Sequence, residues 1–341
     1  MRLASLILIL GLCSQGSSEA ADTKVMRVGN VIGDPAPGSD PHHMVQTQRY
    51  FSKLVLEKTN GEVEIRFLEG KSLPVFQMAS MVKTGETIDA TNVPGFFLVR
   101  VPELNVQAIP YLFDGLEHAR RFPRSKAAEY LAEKVEKAYD AHVVSFLKIA
   151  STGSYNSMMP IRMPSDFAGK KIANIWELYD LAMYGEHKPG LLKEVSFTDA
   201  VGGAMFTGEF DVAIGLLQNN RIQKLYSYFK HNTVTPFLYN IYYTFIVNND
   251  FWNGLTEQQR RAIDEAAYET EAAAINFAED SARKHYQLLE KEDIQMHMQT
   301  FDERAAWKDA YQEHVVDSVI KNSDDPDGTR QLIQWIRELS P

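Results

Sequence analysis

The stretch Lys24-Val-Met-Arg-Val-Gly-Asn30 begins the part of the chain that decides the fold, and it predicts a short strand. A helix is predicted to follow from about His42 to Lys58. Glu62-Val-Glu-Ile-Arg-Phe67 alternates polar and apolar residues, which is typical of a strand. Helical periodicity over Val75 to Thr84 and a further strand at Ile88 to Val93 complete a β-α-β-α-β order. That order predicts an α/β fold with a largely parallel sheet.

A second α/β lobe is predicted downstream. The strand Ala141 to Ala150 follows the charged helix Lys126 to Asp140, and the chain then passes through Ser151-Thr-Gly-Ser-Tyr-Asn156 into the new lobe. The β-branched and aromatic run Tyr239 to Asn248 is predicted to cross back to the first lobe. The other elements predicted for the second lobe are a strand beginning near Lys171, a helix around Glu177 to Tyr184, a strand Glu194 to Phe197, a helix from Thr198 and a strand Phe210 to Ile214.

A long helix is predicted after the second lobe. Thr256 is its expected N-cap, and Gln259, three residues on, is the capping-box partner. The alanine-rich, charged sequence continues with almost no helix breaker to about Lys291. At ~1.5 Å per residue this helix is roughly 50 Å long, enough to span both lobes.

The N-terminus has the pattern of a secretory signal. Arg2 supplies the positive charge, Leu3 to Leu12 the apolar stretch, and Ser18-Glu19-Ala20 a small-x-small cleavage site. Cys13 is the only cysteine of the chain, and because Leu12 precedes it we do not expect a lipid anchor. The protein is therefore expected to be exported, and the family resemblance described below implies the periplasm as its location. The remaining ~320 residues are enough for two packed lobes.

Composition and motifs argue against several other classes of protein. A formal net charge of −10 disfavours nucleic acid and anionic membrane surfaces as partners. The sequence has no Gly-x-Ser-x-Gly, His-Glu-x-x-His, P-loop or Gly-x-Gly-x-x-Gly motif. The adjacent His42 and His43 point in different directions on a helix, so a metal site there is not favoured. We expect no enzyme, no cofactor and no metal.

Several spaced segments resemble the DctP-type periplasmic solute-binding proteins of TRAP transporters (tripartite ATP-independent periplasmic transporters). The resemblance runs from about Arg27 to Ala267. The segments that carry it are Gly85-Glu-Thr-Ile-Asp89, Ile109-Pro-Tyr-Leu-Phe-Asp-Gly-Leu-Glu-His-Ala-Arg120, Gly208-Glu-Phe-Asp211, Lys224-Leu-Tyr226 and Trp252 before Leu255-Thr-Glu-Gln-Gln259. The resemblance implies two lobes joined by hinge strands, a long lobe-spanning helix, and closure of the cleft on a small solute. It also implies TRAP membrane subunits as partners.

The residue patterns and the family resemblance together predict the domain organisation. Residues 1–20 form the signal peptide, residues 21–150 plus about 242–255 form lobe I, and residues 151–241 form lobe II. Residues 256–341 form the long spanning helix and C-terminal helices, since apolar periodicity continues through Thr329 to Pro341.

One segment departs from the family pattern where the ligand is held. Pro164-Ser-Asp-Phe-Ala-Gly-Lys-Lys-Ile-Ala-Asn-Ile-Trp176 resembles the family's "S-P-E-D-L-K-G-L-K-I-R", whose final Arg binds the ligand carboxylate through a bidentate pair. Ala173 stands at that Arg position. Tyr155 replaces a second Arg, and Gly215 replaces a cleft Asn. Arg162, Lys170, Lys171 and Arg221 are alternative sources of the missing charge, and of these Arg221 is placed best to reach the cleft.

These departures predict a cleft that is less positive and more aromatic than the family norm. A carboxylate buried without a partner costs several kcal/mol, so we expect a neutral or largely apolar ligand. The candidate ligand-binding residues are Trp176, Tyr155, Asn174, Ala173, Phe76, Asn92, Phe96, Thr152, Gly215, Gln218 and Tyr239, with Trp176 as the main aromatic anchor.

Two other functions stay open from the sequence. The first is a periplasmic ligand sensor or carrier that works with another protein. The second is an exported enzyme on the same scaffold, with Asp180, Glu177 or His187 as acid or base.

Overall fold

The computed structural model describes residues 23–31, 42–68, 73–174, 187–194, 203 and 207–341. The predicted signal peptide, the predicted helix around Glu177 to Tyr184 and the start of the predicted helix at Thr198 lie outside these residues. The described chain is an α/β structure, as predicted, and all of its described strands belong to one mixed sheet.

The strands of this sheet run in the order β2-β1-β3-β8-β4-β7-β5-β6, and β9 pairs with β8. In chain order they are β1 (Lys24–Asn30), β2 (Val63–Phe67), β3 (Ala90–Pro94), β4 (Ala141–Ser157), β5 (Lys171–Asn174), β6 (Leu191–Glu194), β7 (Val212–Leu216), β8 (His231–Asn248) and β9 (Gln295–Met298).

Helices cover both faces of the sheet. They are α1 (His43–Lys58), α2 (Met78–Thr84), α3 (Leu116–Arg121), α4 (Lys126–Tyr139), α5 (Leu217–Ile222), α6 (Asn249–Asn253), α7 (Glu257–Leu289), α8 (Phe301–Lys321) and α9 (Pro326–Glu338).

The two longest strands, β4 and β8, lie next to each other at the centre of the sheet, and we call them the hinge strands. They pair antiparallel along almost their full length, from Ala141 opposite Asn248 to Ser157 opposite His231. The register shifts between Lys148 and Ala150 and again between Ala150 and Thr152. The pairing is therefore irregular at the middle of the ribbon, where β-bulges bend and twist strands.

The shorter parallel strands end beside this irregular middle. On one side Pro94, the last residue of β3, lies opposite Tyr243 of β8. On the other side Leu216, the last residue of β7, lies opposite Gly153 of β4. In open α/β sheets ligands bind outside the carboxyl ends of strands, so both sets of strands direct their binding ends to one zone of the hinge.

The long helix α7 is unbroken over 33 residues, as the sequence predicted. Its capping box is formed by Thr256 and Gln259, whose side chains exchange hydrogen bonds with each other's backbone N–H groups. Near the middle of the helix Glu271 accepts a hydrogen bond from Ser145 of β4 at 2.9 Å. At its end Leu289 packs with Leu217 of α5. The helix therefore bridges the two ends of the hinge strands.

Most element boundaries agree with the sequence, but the two hinge strands are longer than predicted. The run predicted as a strand from Tyr239 belongs to β8, which already begins at His231. The strand predicted to end at Ala150 continues to Ser157, because the polar segment Ser151 to Asn156 pairs with both β8 and β7. The turn propensity of the polar side chains in this segment is outweighed by hydrogen bonding to two partner strands. Of the strand expected at Glu194 to Phe197, only Glu194 lies within the described residues, where it belongs to β6 (Leu191–Glu194), which pairs with β5. Among the described helices none is long and apolar enough to cross a membrane.

Candidate functional site

The parallel strands place three asparagines near the hinge, two of them buried. Asn92 is fully buried in the middle of β3 and pairs in register with Asn30, the last residue of β1. Asn30 exchanges hydrogen bonds with Gln48 of α1, at 2.6 and 3.1 Å. Both polar atoms of the Asn92 amide lack a hydrogen-bond partner. Asn174 is 1% exposed at the end of β5.

A cavity of about 260 Å³ lies between the hinge strands and α7. Thr152 and Pro236, opposite one another in the hinge ladder, both line it. Glu279 and Arg283 of α7 supply its charged groups, and Leu217 at the start of α5 closes one side. This combination of apolar walls with a few polar groups is typical of a small-molecule site.

Lys148 is a buried cation on the hinge strand β4, and it is not among the residues that line this cavity. Its side chain is 1% exposed. Its Nζ donates to Asn240 Oδ1 at 2.7 Å and to the Ala150 carbonyl at 3.3 Å, and lies 5.0 Å from the centre of the Tyr242 ring. Burial lowers the pKa of Lys148 to about 7, and the negative charge of Glu279 opposes that shift. No carboxylate among the described residues forms an ion pair with Lys148.

A network of amides continues the polar surface into the other half of the hinge. Asn156 of β4 accepts hydrogen bonds through Oδ1 from Asn220 of α5 and from Asn232 of β8, the latter at 2.6 Å. All three residues are at most 1% exposed. We call the surface formed by Lys148, Thr152, Asn156 and Asn240 the polar face of the hinge strands.

The opposite side of the ribbon is packed with aromatic rings. Tyr155 is 2% exposed and lies 4.8 Å from Trp307 of α8 and 5.2 Å from Phe167, ring centre to ring centre. With Tyr111 and Tyr239 these residues line a cavity of about 30 Å³. We call this surface the aromatic face. Neighbouring residues of a regular strand point to opposite faces, so Tyr155 and Asn156 separate, since the ladder is regular from Thr152 to Ser157.

The sequence-predicted site residues therefore divide among several places. Tyr155 and Tyr239 lie on the aromatic face, and Thr152 lies on the polar face. Gln218 is buried at the start of α5, next to a cavity-lining residue. Gly215 pairs with Ser154 in the sheet. Trp176, the expected main anchor, lies outside the described residues.

Ala173, at the position of the family arginine, is 1% exposed in a small apolar cluster. Its neighbours in that cluster include Phe210, Leu225 and Phe229. A long cationic side chain at this position would have to displace these rings or turn away from them. The apolar residues around Ala173 therefore fit an alanine at this position better than an arginine.

Phe76 and Phe96 lie apart from both cavities, at the edge of β3. The Phe97 ring stands between them, 4.9 Å from Phe76 and 4.6 Å from Phe96. Phe76 is 61% exposed. The pair is brought together by the turns before α2 and after β3.

The cations considered as replacements for the arginine have other surroundings. Arg221 pairs with Glu292 at 3.2 Å and its guanidinium lies 5.9 Å from the centre of the Tyr226 ring. Lys171 Nζ donates to the Gly208 carbonyl at 3.0 Å in an exposed contact. Arg162 is exposed, and Lys170 is partly exposed in a turn. None of these four lines the 260 Å³ cavity.

The adjacent His42 and His43 lie at the start of α1, where His42 has a structural role. His42 caps α1 by accepting a hydrogen bond from the Met44 N–H at 3.2 Å. Burial, with a smaller effect of His285, lowers the pKa of His42 to about 4. Within the described part of the chain no group of His, Cys, Asp and Glu is placed to hold a metal ion.

Lys148 and Asn240 were missed by the sequence reading. Lys148 stands inside the apolar run Ser145-Phe-Leu-Lys-Ile-Ala150, and a lysine within a strand buried on both faces is unusual. The presence of a lysine within an apolar run was therefore a signal that the sequence offered. Their mutual contact was not, because 92 residues separate them in the chain.

Comparison with known families agrees with this architecture. Residues 36–322 match the model of the family described as DctP, bacterial extracellular solute-binding protein, family 7. The chain belongs to this family. Its members are solute-binding proteins, so the expectation of a protein that is not an enzyme is confirmed.

A curated relative and two solved structures illustrate the likeness. The C4-dicarboxylate-binding periplasmic protein DctP of Rhodobacter capsulatus is 25% identical over 276 residues, which are 76% of this chain and 77% of that protein. A TRAP periplasmic solute-binding protein from Chromohalobacter salexigens, solved with bound D-glucuronate, has a TM-score of 0.75 at 20% identity and covers 92% of this chain and 100% of its own. Another from Desulfovibrio salexigens, with bound orotic acid, has a TM-score of 0.76 at 17% identity, over 93% and 98% of the two chains.

Proposed function

We propose that this family member binds a small organic acid at the hinge and delivers it to the membrane subunits of a TRAP-type transporter. In this proposal residues 21–150 with about 242–255 act as one lobe and residues 151–241 as the other. The lobes close around the ligand by bending at β4 and β8, and the closed form is the one that docks on the transporter. After export the protein works in the periplasm, with residues 1–20 removed as its signal peptide.

The choice of an acid departs from the neutral ligand predicted from the sequence. The relatives do not support neutrality, since the structural neighbours named above hold glucuronate and orotate. The single observation that carries the proposal is the buried ammonium of Lys148 in the hinge, which forms no ion pair with a described carboxylate and is reached only by the more distant charge of Glu279. A protein that keeps an unpaired ammonium in its interior loses stability unless an anion joins it.

A thermal-shift screen tests the proposal directly. A true ligand raises the melting temperature by mass action, by an amount that grows with its concentration over Kd. The screen should pair each acid with a neutral analogue, such as glucuronate with glucuronamide and pyruvate with pyruvamide. We expect shifts with acids. A broad library without any stabilising compound, or substrate turnover in place of stoichiometric binding, would contradict the proposal.

Transport needs a second experiment. Proteoliposomes that contain the small and large TRAP membrane subunits should take up the ligand only when this protein is added. The alternative, a sensor or carrier for another protein, predicts binding of the same ligand without uptake. Neighbouring genes for a sensor kinase in place of TRAP subunits would favour that alternative.

A further inference from the structure

Resting on the proposed function, we infer that the organic acid also carries a positively charged amino group and that the 260 Å³ cavity holds it as a zwitterion. Glu279 binds the ammonium group of the ligand, and Arg283 binds its carboxylate. The rest of the cavity wall receives an apolar side chain. The class of ligand is therefore an amino acid with an apolar side chain.

The first observation is the pair of opposite charges on one wall of the cavity. Glu279 and Arg283 both line it, and they lie four residues apart on α7. Residues at this spacing are neighbours on one helix face, with Cβ atoms about 5–6 Å apart. An ammonium and a carboxylate joined to one carbon atom can therefore reach both side chains at once. An acid without an amino group matches only one of the two charges.

Both charged side chains have the capacity to bind a ligand group. The side chain of Arg283 is 68% exposed, and its described ion pair with Asp280 is a single contact through Nη1 at 3.3 Å. A guanidinium has five N–H donors, so others remain for a ligand carboxylate. The carboxylate of Glu279 has two oxygens with about four acceptor sites, so it can accept from a ligand ammonium in addition to its other contacts.

The second observation is the apolar character of the remaining wall. Apolar side chains reach the cavity from α5, the hinge strands and β9, and they belong to Leu217, Val234, Pro236, Phe237 and Met298. Leu217 and Val234 are at most 1% exposed and pack in one cluster. A cavity of about 260 Å³ lies just below the ~300–1,000 Å³ of sites for drug-sized molecules, so the ligand is small.

Phe237 is held at this wall by an unusual backbone conformation. Its φ is 60°, which is rare for a bulky side chain. It begins the stretch of β8 that leaves the hinge ladder between Pro236 and Ile241. The guanidinium of Arg304 lies 5.3 Å from the centre of its ring. Backbone strain of this kind clusters at ligand sites, which supports a binding role for the wall.

The experiment uses calorimetric titration of the full-length mature protein at pH 7. Glu279→Gln and Arg283→Gln each remove one charge from the cavity wall. Glu257→Gln and Arg261→Gln are the matched controls, because these residues also lie four apart on α7 and form an exposed pair at 3.2 Å without lining the cavity. The Arg261 side chain is 68% exposed, like that of Arg283.

The probes separate the two charges of the ligand. They are L-leucine, L-valine and L-phenylalanine, each with its deaminated acid (4-methylpentanoate, 3-methylbutanoate or 3-phenylpropanoate) and with its amide. The deaminated acid keeps the carboxylate and loses the ammonium, and the amide does the reverse. D-Glucuronate represents an acid without an amino group.

We expect at least one amino acid to bind wild type about tenfold or more tightly than both of its analogues, because each analogue loses one charge-assisted contact. In Glu279→Gln the amino acid and the deaminated acid should bind within about twofold of each other. In Arg283→Gln the amino acid and the amide should do so. Glu257→Gln and Arg261→Gln should bind as wild type. A purely structural role of either wall charge would lower all affinities alike and preserve the discrimination.

Other results would overturn the inference. If D-glucuronate or the deaminated acids bind as tightly as the amino acids, the proposed function stands and the zwitterion fails. If Glu279→Gln and Arg283→Gln keep the discrimination of wild type, or if the controls lose it too, the function stands and the assignment to the cavity fails. If Lys148→Met loses the preference for a carboxylate and Arg283→Gln does not, the anion site lies at Lys148. If no solute of any class binds, the proposed function itself fails and the inference fails with it.

Discussion

The two faces of the hinge strands differ in how completely they are filled. On the aromatic face, rings from the sheet, Phe167 and α8 leave a space of about 30 Å³. On the polar face, the cavity measures about 260 Å³ and is bordered by charged groups. The aromatic face therefore has the character of a core that holds the strands in place. The polar face includes Lys148 and its neighbour Asn240, whose Nδ2 has no hydrogen-bond partner, and it has the character of a binding surface.

The largest expected effect tests the aromatic face as core. Trp307 is 1% exposed and its Nε1–H donates to the Arg162 carbonyl at 2.6 Å. Trp307→Ala should lower the free energy of unfolding by about 3–5 kcal/mol, as truncations of large buried aromatics do. Urea unfolding measures this change. Phe301→Ala, at an 89% exposed aromatic on the same helix, is the control and should cost less than about 0.5 kcal/mol.

Ligand affinity in the refolded Trp307→Ala protein should stay close to that of wild type. A loss of more than tenfold without loss of stability would assign the ligand to the aromatic face and reverse the comparison.

A second effect belongs to the polar face and depends on pH. Lys148 has a pKa of about 7 in the folded protein against an ordinary value of 10.5. Between these values the unfolded chain holds more protons, so the unfolding free energy rises with pH by up to ~1.4 kcal/mol per unit. Below pH 7 the charged form is buried at full cost. Wild type should therefore be less stable than Lys148→Met at pH 7, and this difference should shrink toward pH 10.

Denaturant unfolding of both proteins across that range, without ligand, measures the difference. Glu279→Gln serves as the matched variant, since the Glu279 charge is the group that favours the ammonium. A difference between wild type and Lys148→Met that does not change with pH would show that Lys148 has an ordinary pKa.

A third, smaller effect concerns Asn92, a predicted ligand residue. Its amide is fully buried with no hydrogen-bond partner, an arrangement that costs about 1–3 kcal/mol. Asn92→Leu, of similar volume, should stabilise the ligand-free protein by about 1 kcal/mol. The neighbouring Thr91 donates to the Gly29 carbonyl at 3.1 Å, so Thr91→Val is the control and should destabilise. If Asn92 serves the ligand, its variant gains stability and loses affinity. A loss of both would indicate a purely structural role.

Much of the fold could be predicted because its signals are local. Period-two alternation located β2, and the capping box of Thr256 and Gln259 located the start of α7. The extension of β4 through Ser151 to Asn156 was not predictable, since that segment becomes a strand only by pairing with β7 and β8. Local turn propensity there competes with two partners that are distant in sequence.

The site was harder to predict, because a cleft depends on which face a strand residue presents. Tyr155 and Thr152 were both predicted as ligand residues, and they lie on opposite faces of the hinge. The ladder is regular from Thr152 to Ser157, so the odd spacing of three residues puts Thr152 and Tyr155 on opposite faces, and the family resemblance by which both were chosen did not take this into account. The meaning of Lys148 likewise required its contact with Asn240.

The smallest expected effect concerns Arg221, the cation that the sequence placed best to replace the arginine clamp. Its guanidinium pairs with Glu292, and both side chains are about one third exposed. Pairs of this kind contribute about 0.2–1 kcal/mol, because solvent screens the charges and ordering two long side chains costs entropy. Arg221→Ala should therefore lower stability by no more than about 1 kcal/mol and leave acid affinity unchanged. Lys193→Ala breaks a comparable exposed pair, with Glu209 at 3.0 Å, and serves as the control. Calorimetry decides whether Lys148 or Arg221 attracts the acid. A tenfold loss of acid affinity in Arg221→Ala, with no loss in the control Lys193→Ala, would place the anion site at α5 and not in the middle of the hinge.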